Sequence, residues 1–430
     1  MELLLLFILL FVLIFLGMEI AYVLMISPII VIGFTYLTSE VPIPLEVIPQ
    51  HLYGGADSFS FTAIPLFILA GEIMNRGGLT LRLVEFARKI VGYIRGGIGQ
   101  VAVVINILMA GLSGSSVADA TATGSILIPA MKKEGYTPQK SAAIIAAAST
   151  IGPVIPPSIP LIIIGANAGI SVATLFIAGI VPGIIMGLAL MLYVFITANK
   201  DNIERIERPP LKEQVKAFKP ALLPLGMPIL IIGSIALGIA SPTEAAVLGV
   251  LYALIVTGLI YKDLTFSGLI IAMKEVAVST GTLMITIAAG ILFGWLATYL
   301  NIGGLLNEFL LSISTNPIII LLIVNVLLLL LGMVLETIPI ILLMVPVLFP
   351  IALNLGIDPV HLSIIMLVNL MIGLITPPIG LHLFITASIA RTPIISVIKA
   401  SAPLMIILLV VLGLITYIPE ISLFLPTLLE

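Results

Sequence analysis

Residues 111–158 read GLSGSSVADATATGSILIPAMKKEGYTPQKSAAIIAAASTIGPVIPPS, and residues 332–378 read GMVLETIPIILLMVPVLFPIALNLGIDPVHLSIIMLVNLMIGLITPP. A single ungapped shift of 221 positions lays Gly111 on Gly332, Pro129 on Pro350, Gly135 on Gly356 and Pro138 on Pro359. It also lays Gly152 on Gly373 and Pro156-Pro157 on Pro377-Pro378. Glycine and proline set backbone geometry rather than hydrophobicity. Their shared register is therefore not a by-product of apolar composition, and the chain reads as an internal repeat. Upstream the offset becomes 225–226, where Glu19 meets Glu244 and Gly77-Gly78-Leu79 meets Gly303-Gly304-Leu305.

Outward from these stretches, composition places the repeat in lipid. The 430 residues are 60% hydrophobic with a mean hydropathy of +1.31. Charged residues make up 9%, against about 25% in soluble domains. The chain has no cysteine, which excludes disulfides and thiolate metal or nucleophile sites. Its histidines, His51, His361 and His382, have no metal-ligand spacing, and no basic patch with interleaved aromatics points to nucleic acid. The apolar start, Leu3 to Leu16, is preceded only by Glu2 and reads as a retained helix rather than a secretory signal.

The basic residues set the expected topology. All 18 fall in five segments: Arg76 to Arg95, Lys132 to Lys140, Lys200 to Lys219, Lys262 with Lys274, and Arg391 with Lys399. The positive-inside rule puts all five in the cytoplasm. Some 36 residues separate Arg95 from Lys132, too many for one crossing of about 20. Their midpoint, Ser113-Gly114-Ser115-Ser116, suits a tip buried in protein, so hairpin 96–131 is read as re-entrant from the cytoplasm. The apolar run to Leu355 is likewise too long for one span and reads as a second hairpin, 317–356, entering from outside. The arm 79–95 carries Arg82, Arg88, Lys89 and Arg95, whereas its counterpart 302–316 carries no basic residue. Related segments on opposite faces make an inverted repeat.

The expected fold is an all-α polytopic membrane protein of two inverted-topology repeats. The first, 1–199, contains scaffold helices, interfacial arm 79–95, hairpin 96–131 and broken helix 141–170. A cytoplasmic basic linker, 200–219, leads to the second, 220–430, with arm 302–316, hairpin 317–356 and broken helix 360–390. Three short crossings, Leu3–Leu16, Ile20–Leu37 and Phe59–Asn75, open the chain, and both termini are expected outside the cytoplasm.

Each repeat pairs a hairpin tip with a later helix break. A Pro-Pro pair within the membrane frees carbonyl oxygens that hydrocarbon cannot satisfy. Those oxygens, with Ser and Thr hydroxyls, suit a small hard cation such as sodium. The half-helix after each break turns its amides toward the same zone and favours an anion. The first sodium site is assigned to Ser113, Gly114, Ser115, Ser116, Gly152, Val154 and Pro156. The second is assigned to Gly332, Glu336, Thr337, Gly373, Thr376 and Pro377. An anionic substrate is expected between the tips, at Ser116, Asp119, Pro157, Ser158, Thr337 and Pro378. Asp119 and Glu336 are the sharpest residues, because carboxylates within membrane segments are costly and usually functional; capping a half-helix is the alternative for both. Glu19, Glu72 and Glu244 read as solvated or capping, and Asn106, Asn325 and Asn369 as interhelical hydrogen-bond partners. No His or Lys accompanies Ser115 or Ser116 locally, which argues against an intramembrane hydrolase, and no enzymatic activity is expected.

The stretch quoted first, together with IPLFILAGEIMNRGGLT, SPTEAAVLGV and GIDPVHLSIIMLVNLMIGLITPPIG, resembles the large membrane subunit (M, DctM-type) of the TRAP transporters, the tripartite ATP-independent periplasmic carriers. The resemblance spans nearly the whole chain. It implies an elevator-type fold in a prokaryotic inner membrane and sodium-driven uptake of an organic anion such as a C4-dicarboxylate, a sialic acid or another carboxylate. It implies two partners besides membrane lipids: a small four-helix membrane subunit, not fused here because no helical domain precedes Met1, and an extracytoplasmic substrate-binding protein. It places sodium at the two tips and breaks, adds Ser60 as a substrate contact, and implies no cofactor beyond sodium as coupling ion. A stand-alone sodium/dicarboxylate symporter of related fold is the alternative.

Overall fold

The computed structural model describes residues 1–38, 42–198 and 207–429, and all regular structure among them is helical. Lys200 and Arg205 of the expected basic linker lie outside the described residues. Seven helices are long and apolar enough to cross a membrane, or eight with one bent pair counted as a span. Many of the remaining apolar helices are about half that length, as hairpins and broken helices require.

The chain begins with α1 (Glu2–Phe15), α2 (Ile20–Thr38), α3 (Val47–Ala56) and α4 (Ala63–Arg76). At 14 residues, α1 rises only about 21 Å, short of the roughly 30 Å hydrocarbon core. Sequence patterning missed α3, whose VIPQHLYGGA mixes polar, apolar and glycine residues. A 3₁₀ turn, Phe59–Thr62, joins it to α4, and the pair bends by 48°. The expected crossing at Phe59–Asn75 is thus the second half of a kinked unit.

Next comes α5 (Leu79–Val91), the expected arm. Leu79, Leu83 and Ala87 on its inner face are fully buried. On its polar face Arg82 pairs with Asp263 at 2.6 Å, Lys89 with Glu213 at 2.7 Å, and Arg88 with Glu134. Such water-facing pairs are screened by solvent and salt and add little, so the apolar face does most of the anchoring.

The first hairpin is α6 (Ile98–Ser113) and α7 (Ser116–Lys133). The first broken helix follows as α8 (Pro138–Ser149) and α9 (Ile159–Ala168), and α10 (Val172–Thr197) completes the repeat. The second repeat opens with α11 (Leu211–Ala236), α12 (Pro242–Leu254, extended by a π-helical turn, Ile255–Ile260) and the 34-residue α13 (Phe266–Tyr299). Its own arm is α14 (Ile302–Ile313), and its hairpin is α15 (Pro317–Gly332) with α16 (Thr337–Asn354). The second broken helix is α17 (Pro359–Gly373) and α18 (Leu381–Ala390), after which come α19 (Ile394–Tyr417) and α20 (Glu420–Leu429). The 221-residue shift carries the first residue of α7 onto that of α16, and the first of α8 onto that of α17. The C-terminal α20 was not expected; it starts after Pro419, contains Pro426, and packs on α10 and α17.

Two sets of packing contacts matter for the site. Helices α7, α8 and α18 pack on one another, as do α15, α16 and α17, while α9 joins α16 and α17. Around them α4 packs on α12 and α13, and α13 in turn packs along α16. Buried polar side chains tie the second repeat together. Asn369 Nδ2 donates to Asn325 Oδ1 at 2.7 Å, and Asn325 Nδ2 donates to Thr416 Oγ1 at 3.0 Å. His361 sits 3.2 Å from the Thr416 carbonyl and 3.3 Å from Ser422 Oγ. The asparagines thus bridge helices as expected. Asn106 does so more weakly, accepting from Thr123 at 3.4 Å while donating within its own helix.

One backbone contact fixes the second repeat. A methyl group at Gly373 would lie 2.7 Å from the Gly332 Cα, a distance that only backbone separation relieves. Gly373→Ala is therefore expected to force the second tip off its break and to abolish transport. Gly413→Ala, in a helix with open space at that position, is expected to leave transport and yield unchanged. Uptake assays on the two variants check this, and equal tolerance would contradict it.

Candidate functional site

At the first tip, α6 ends at Ser113 and Gly114 turns the chain with φ +59°. A Cβ at Gly114 would sit 2.7 Å from the Pro157 carbonyl, so tip and break touch. Ser115 caps α7, accepting from Ala118 N–H at 3.4 Å. Ser113 Oγ donates to Asp119 Oδ1 at 2.5 Å. Asp119 is fully buried, and its other oxygen, Oδ2, has no hydrogen-bond partner. That oxygen lies against Gly152, where a methyl group would approach it to 2.2 Å.

The structure places Asp119, expected in the substrate set, at the junction of tip and break. One turn inside α7, it faces the break and the Ser113 hydroxyl. A buried carboxylate oxygen without a donor is expensive, and a bound cation is its natural complement. Among the break carbonyls, Pro156 O lies 3.8 Å from a methyl built at Gly111 of the first hairpin, and Pro157 O faces Gly114. The Val154 carbonyl instead packs against Gly179 of α10, 2.2 Å from a methyl built there.

The second tip is built the same way with different side chains. Glu336 precedes α16 and makes no capping bond. The Ile379 N–H donates to the Met333 carbonyl at 3.3 Å, which ties break to tip. Thr337 Oγ1 is buried and has no partner. Thr376, assigned to the ion site for its hydroxyl, turns that group into its own helix, donating to Ile372 O at 2.7 Å, with Met405 Sδ 3.4 Å away. The peptide bonds Pro156-Pro157 and Pro377-Pro378 are both cis. By the 221-residue register Glu336 corresponds to Ser115, not to Asp119. Each repeat thus carries one acid near its tip, in a different place.

A cavity of about 230 Å³ lies between the tips. Gly114, Ser115 and Ser116 form one wall, Glu336 and Thr337 another, with Pro153, Ile159 and Pro160 below and Leu283 of α13 across from them. The N-termini of α7, α9, α16 and α18 all reach it, each worth roughly half a positive charge. It adjoins a larger cavity of about 600 Å³, lined by Ser113, Ser115, Asp119 and Glu336 on one side. Glu72 and Asn75 of α4, with Glu275, Ser279 and Thr282 of α13, line the other side. Arg76 pairs with both Glu72 and Glu275 at 2.5 Å. Glu72 is therefore an ion-paired wall residue rather than a solvated or capping one. Glu244 does cap its helix, in a capping box with Ser241.

Of the residues assigned to substrate, Ser116, Thr337 and Asp119 line these cavities. Pro157 and Ser158 are buried behind the first tip, where Ser158 Oγ accepts from Leu161 N–H at 3.2 Å. Pro378 is exposed and lines neither cavity, and Pro377 is half-buried. Ser60 sits apart, in a separate cavity of about 270 Å³ with Ser171 and Ser241. Sequence reasoning missed Asn75, Glu275, Ser279 and Thr282. Nothing in local patterning marks them, because only the packing of α4 and α13 against the tips brings them there.

Two inverted repeats, each closing a hairpin tip on a helix break, with cation-type oxygens beside anion-type helix ends, define a membrane permease. The chain belongs to the family of the tripartite ATP-independent periplasmic transporter DctM component, whose model matches residues 7–421. It is 36% identical to the sialic acid TRAP transporter large permease protein SiaM of Vibrio cholerae, over 97% of this chain and 96% of that one. It is 40% identical to the C4-dicarboxylate TRAP transporter large permease protein DctM of Pseudomonas aeruginosa, over 87% and 88%. It is 37% identical to the 2,3-diketo-L-gulonate TRAP transporter large permease protein YiaN of Escherichia coli, over 88% and 89%. Among solved structures it is similar in fold to the Alcanivorax borkumensis YdaH transporter, with a TM-score of 0.68 and 15% identity over 92% and 97%. The chain is thus a multi-pass TRAP transporter large permease subunit.

The orphaned Asp119 oxygen generates opposite expectations for stability and activity. Asp119→Asn keeps an acceptor for Ser113 but removes an unpaired buried charge. In sodium-free buffer its unfolding temperature is expected to equal or exceed that of the unaltered chain. Transport is expected to fall at least about tenfold, for loss of a charge-assisted interaction of about 1.5–3 kcal/mol. Thermal unfolding and uptake, measured on one preparation, check both; full activity, or destabilisation without sodium, contradicts the reading.

Proposed function

We propose that this subunit couples inward sodium flow to uptake of an organic carboxylate delivered by an extracytoplasmic binding protein, with a small four-helix membrane subunit completing the transporter. The observation that carries the sodium reading is the pair of buried orphan oxygens, Asp119 Oδ2 and Thr337 Oγ1, one at each tip. Ser113, Asp119 and the Pro156 and Pro157 carbonyls would hold the first ion. Thr337, Glu336 and the backbone of Gly332 and Gly373 would hold the second. Sodium supplies positive charge beside a cavity whose helix ends favour an anion, so the two cargoes stabilise each other there. The carboxylate class is supported by relatives named for sialic acid, 2,3-diketo-L-gulonate and C4-dicarboxylate.

The movement proposed is an elevator. The hairpins and broken helices pack extensively on one another, while α4 and α13 line the opposite side of the larger cavity. That cavity reaches Glu72 and Glu275, the ion-pair partners of Arg76, and the positive-inside rule assigns Arg76 and the neighbouring Lys274 to the cytoplasm. The site in this conformation is accordingly open inward, and the membrane is the inner membrane of a prokaryote with both chain termini outside.

Proteoliposomes containing the large and small subunits, supplied with the binding protein and a panel of carboxylates, test this. Uptake is expected to require an inward sodium gradient and to vanish when choline or potassium replaces sodium. Uptake indifferent to that replacement contradicts sodium coupling. Uptake by the large subunit alone favours a stand-alone symporter.

A further inference from the structure

His382 lies in the first turn of α18, directly after the second break, and is fully buried. Its side chain leaves its own repeat. Nδ1 sits 3.1 Å from Ser149 Oγ and 3.4 Å from the Ala146 carbonyl, both in the last turn of α8 before the first break. Ser149 Oγ already donates to Ala146 O at 2.9 Å. Its oxygen is therefore free to accept, and a carbonyl can only accept, so Nδ1 carries the proton and donates. Nε2 is then a bare acceptor, buried and without a partner.

The main chain extends this link at both ends. The His382 N–H donates back across the second break to the Leu374 carbonyl at 3.1 Å. The Ser149 carbonyl accepts from Gly152 N–H at 3.3 Å, and Gly152 is the residue against which Asp119 Oδ2 lies. A contiguous run of contacts therefore joins the second break to the buried carboxylate of the first tip. The cross-link exists in one direction only. The 221-residue register puts Leu161 at the position equivalent to His382, and Leu370 at that equivalent to Ser149; two leucines offer no hydrogen bond.

We propose that His382 is the positioning residue through which the two ion sites sense each other: it fixes the turn of α8 that shapes the first site to the half-helix that leaves the second. The inference rests on the sodium reading above. Occupancy of the second site settles Leu374 and α18, His382 transmits that setting to Ser149, and Gly152 meets Asp119 in its ion-binding position. Coupling of this kind is reciprocal and appears as cooperative sodium binding.

Because the chain contains no cysteine, Val117→Cys provides a unique probe at the first tip, where Val117 is 40% exposed. The purified full-length chain in lipid nanodiscs is labelled with a maleimide while sodium replaces choline at constant ionic strength. With His382 intact, protection is expected to be sigmoidal in sodium, with a Hill coefficient near the two-site limit of about 2. Adding His382→Leu is expected to bring it to about 1 in a chain that still purifies as a folded monodisperse species. His382→Gln, which keeps an N–H donor, should restore the sigmoid. Ser149→Ala removes the nearer of the two acceptors, leaving only the 3.4 Å contact to the Ala146 carbonyl, and should reproduce the loss, independently of whether the leucine variant folds. A sigmoid unchanged in His382→Leu or Ser149→Ala, or a hyperbola in the parent, overturns the proposal while leaving sodium binding intact. Labelling that ignores sodium in the parent overturns the sodium reading and this inference with it.

Discussion

A peptide carbonyl freed from its helix inside a bilayer has nothing to bond with except what the protein brings to it. Each unsatisfied group in hydrocarbon costs several kcal/mol, and this chain opens its backbone there four times, at two tips and two breaks. The fold answers by closing each tip on the break of its own repeat. Gly114 meets the Pro157 carbonyl, Gly332 meets Gly373, and Met333 accepts from Ile379. These approaches demand residues without a side chain at Gly114, Gly332 and Gly373; Gly114 is particular to the first tip, because the 221-residue register puts Leu335 at its equivalent position. What protein contacts leave unsatisfied, chiefly one Asp119 oxygen and the Thr337 hydroxyl, is what a cation is suited to complete.

The two repeats share this frame but not its charges. In the first, the acid lies one turn inside α7 and is completely buried against the break. In the second, Glu336 stands at the helix start and is exposed to the cavity. The first break is buried throughout, whereas Pro378 and Ile379 of the second are exposed. A pseudo-symmetric scaffold therefore carries two chemically different sites. The four helix N-termini that reach the smaller cavity add positive potential without a basic side chain, among the described residues lining it. Arg76, held between Glu72 and Glu275, leaves the wall of the larger cavity acidic overall.

Much of this architecture was legible in the sequence because it is written in residues that act on the backbone or on topology. The hairpins, the breaks and the arm helices follow from glycine and proline positions and from where arginine and lysine are absent. Elements without such marks were missed. Helix α3 carries no clean apolar periodicity, and α20 is short and interrupted by Pro426. The site was legible as a location but not as a ligand list. Residue type picked out Asp119 and Thr376, and the structure puts the first against the first break and the second within the second break, yet the rotation of each side chain depends on its neighbours. Asp119 turns toward Gly152 because a glycine there leaves room, and Thr376 turns inward because Ile372 O lies one turn back. The facing wall on α4 and α13 comes from distant segments and leaves no local signature.

The central claim is that the paired tips and breaks are sodium sites. Equilibrium binding of radioactive sodium to the purified chain, with choline as the balancing cation and no organic substrate present, tests it most directly. The account predicts saturable binding approaching two ions per chain. An absence of saturable binding, or binding displaced equally well by choline, would contradict it.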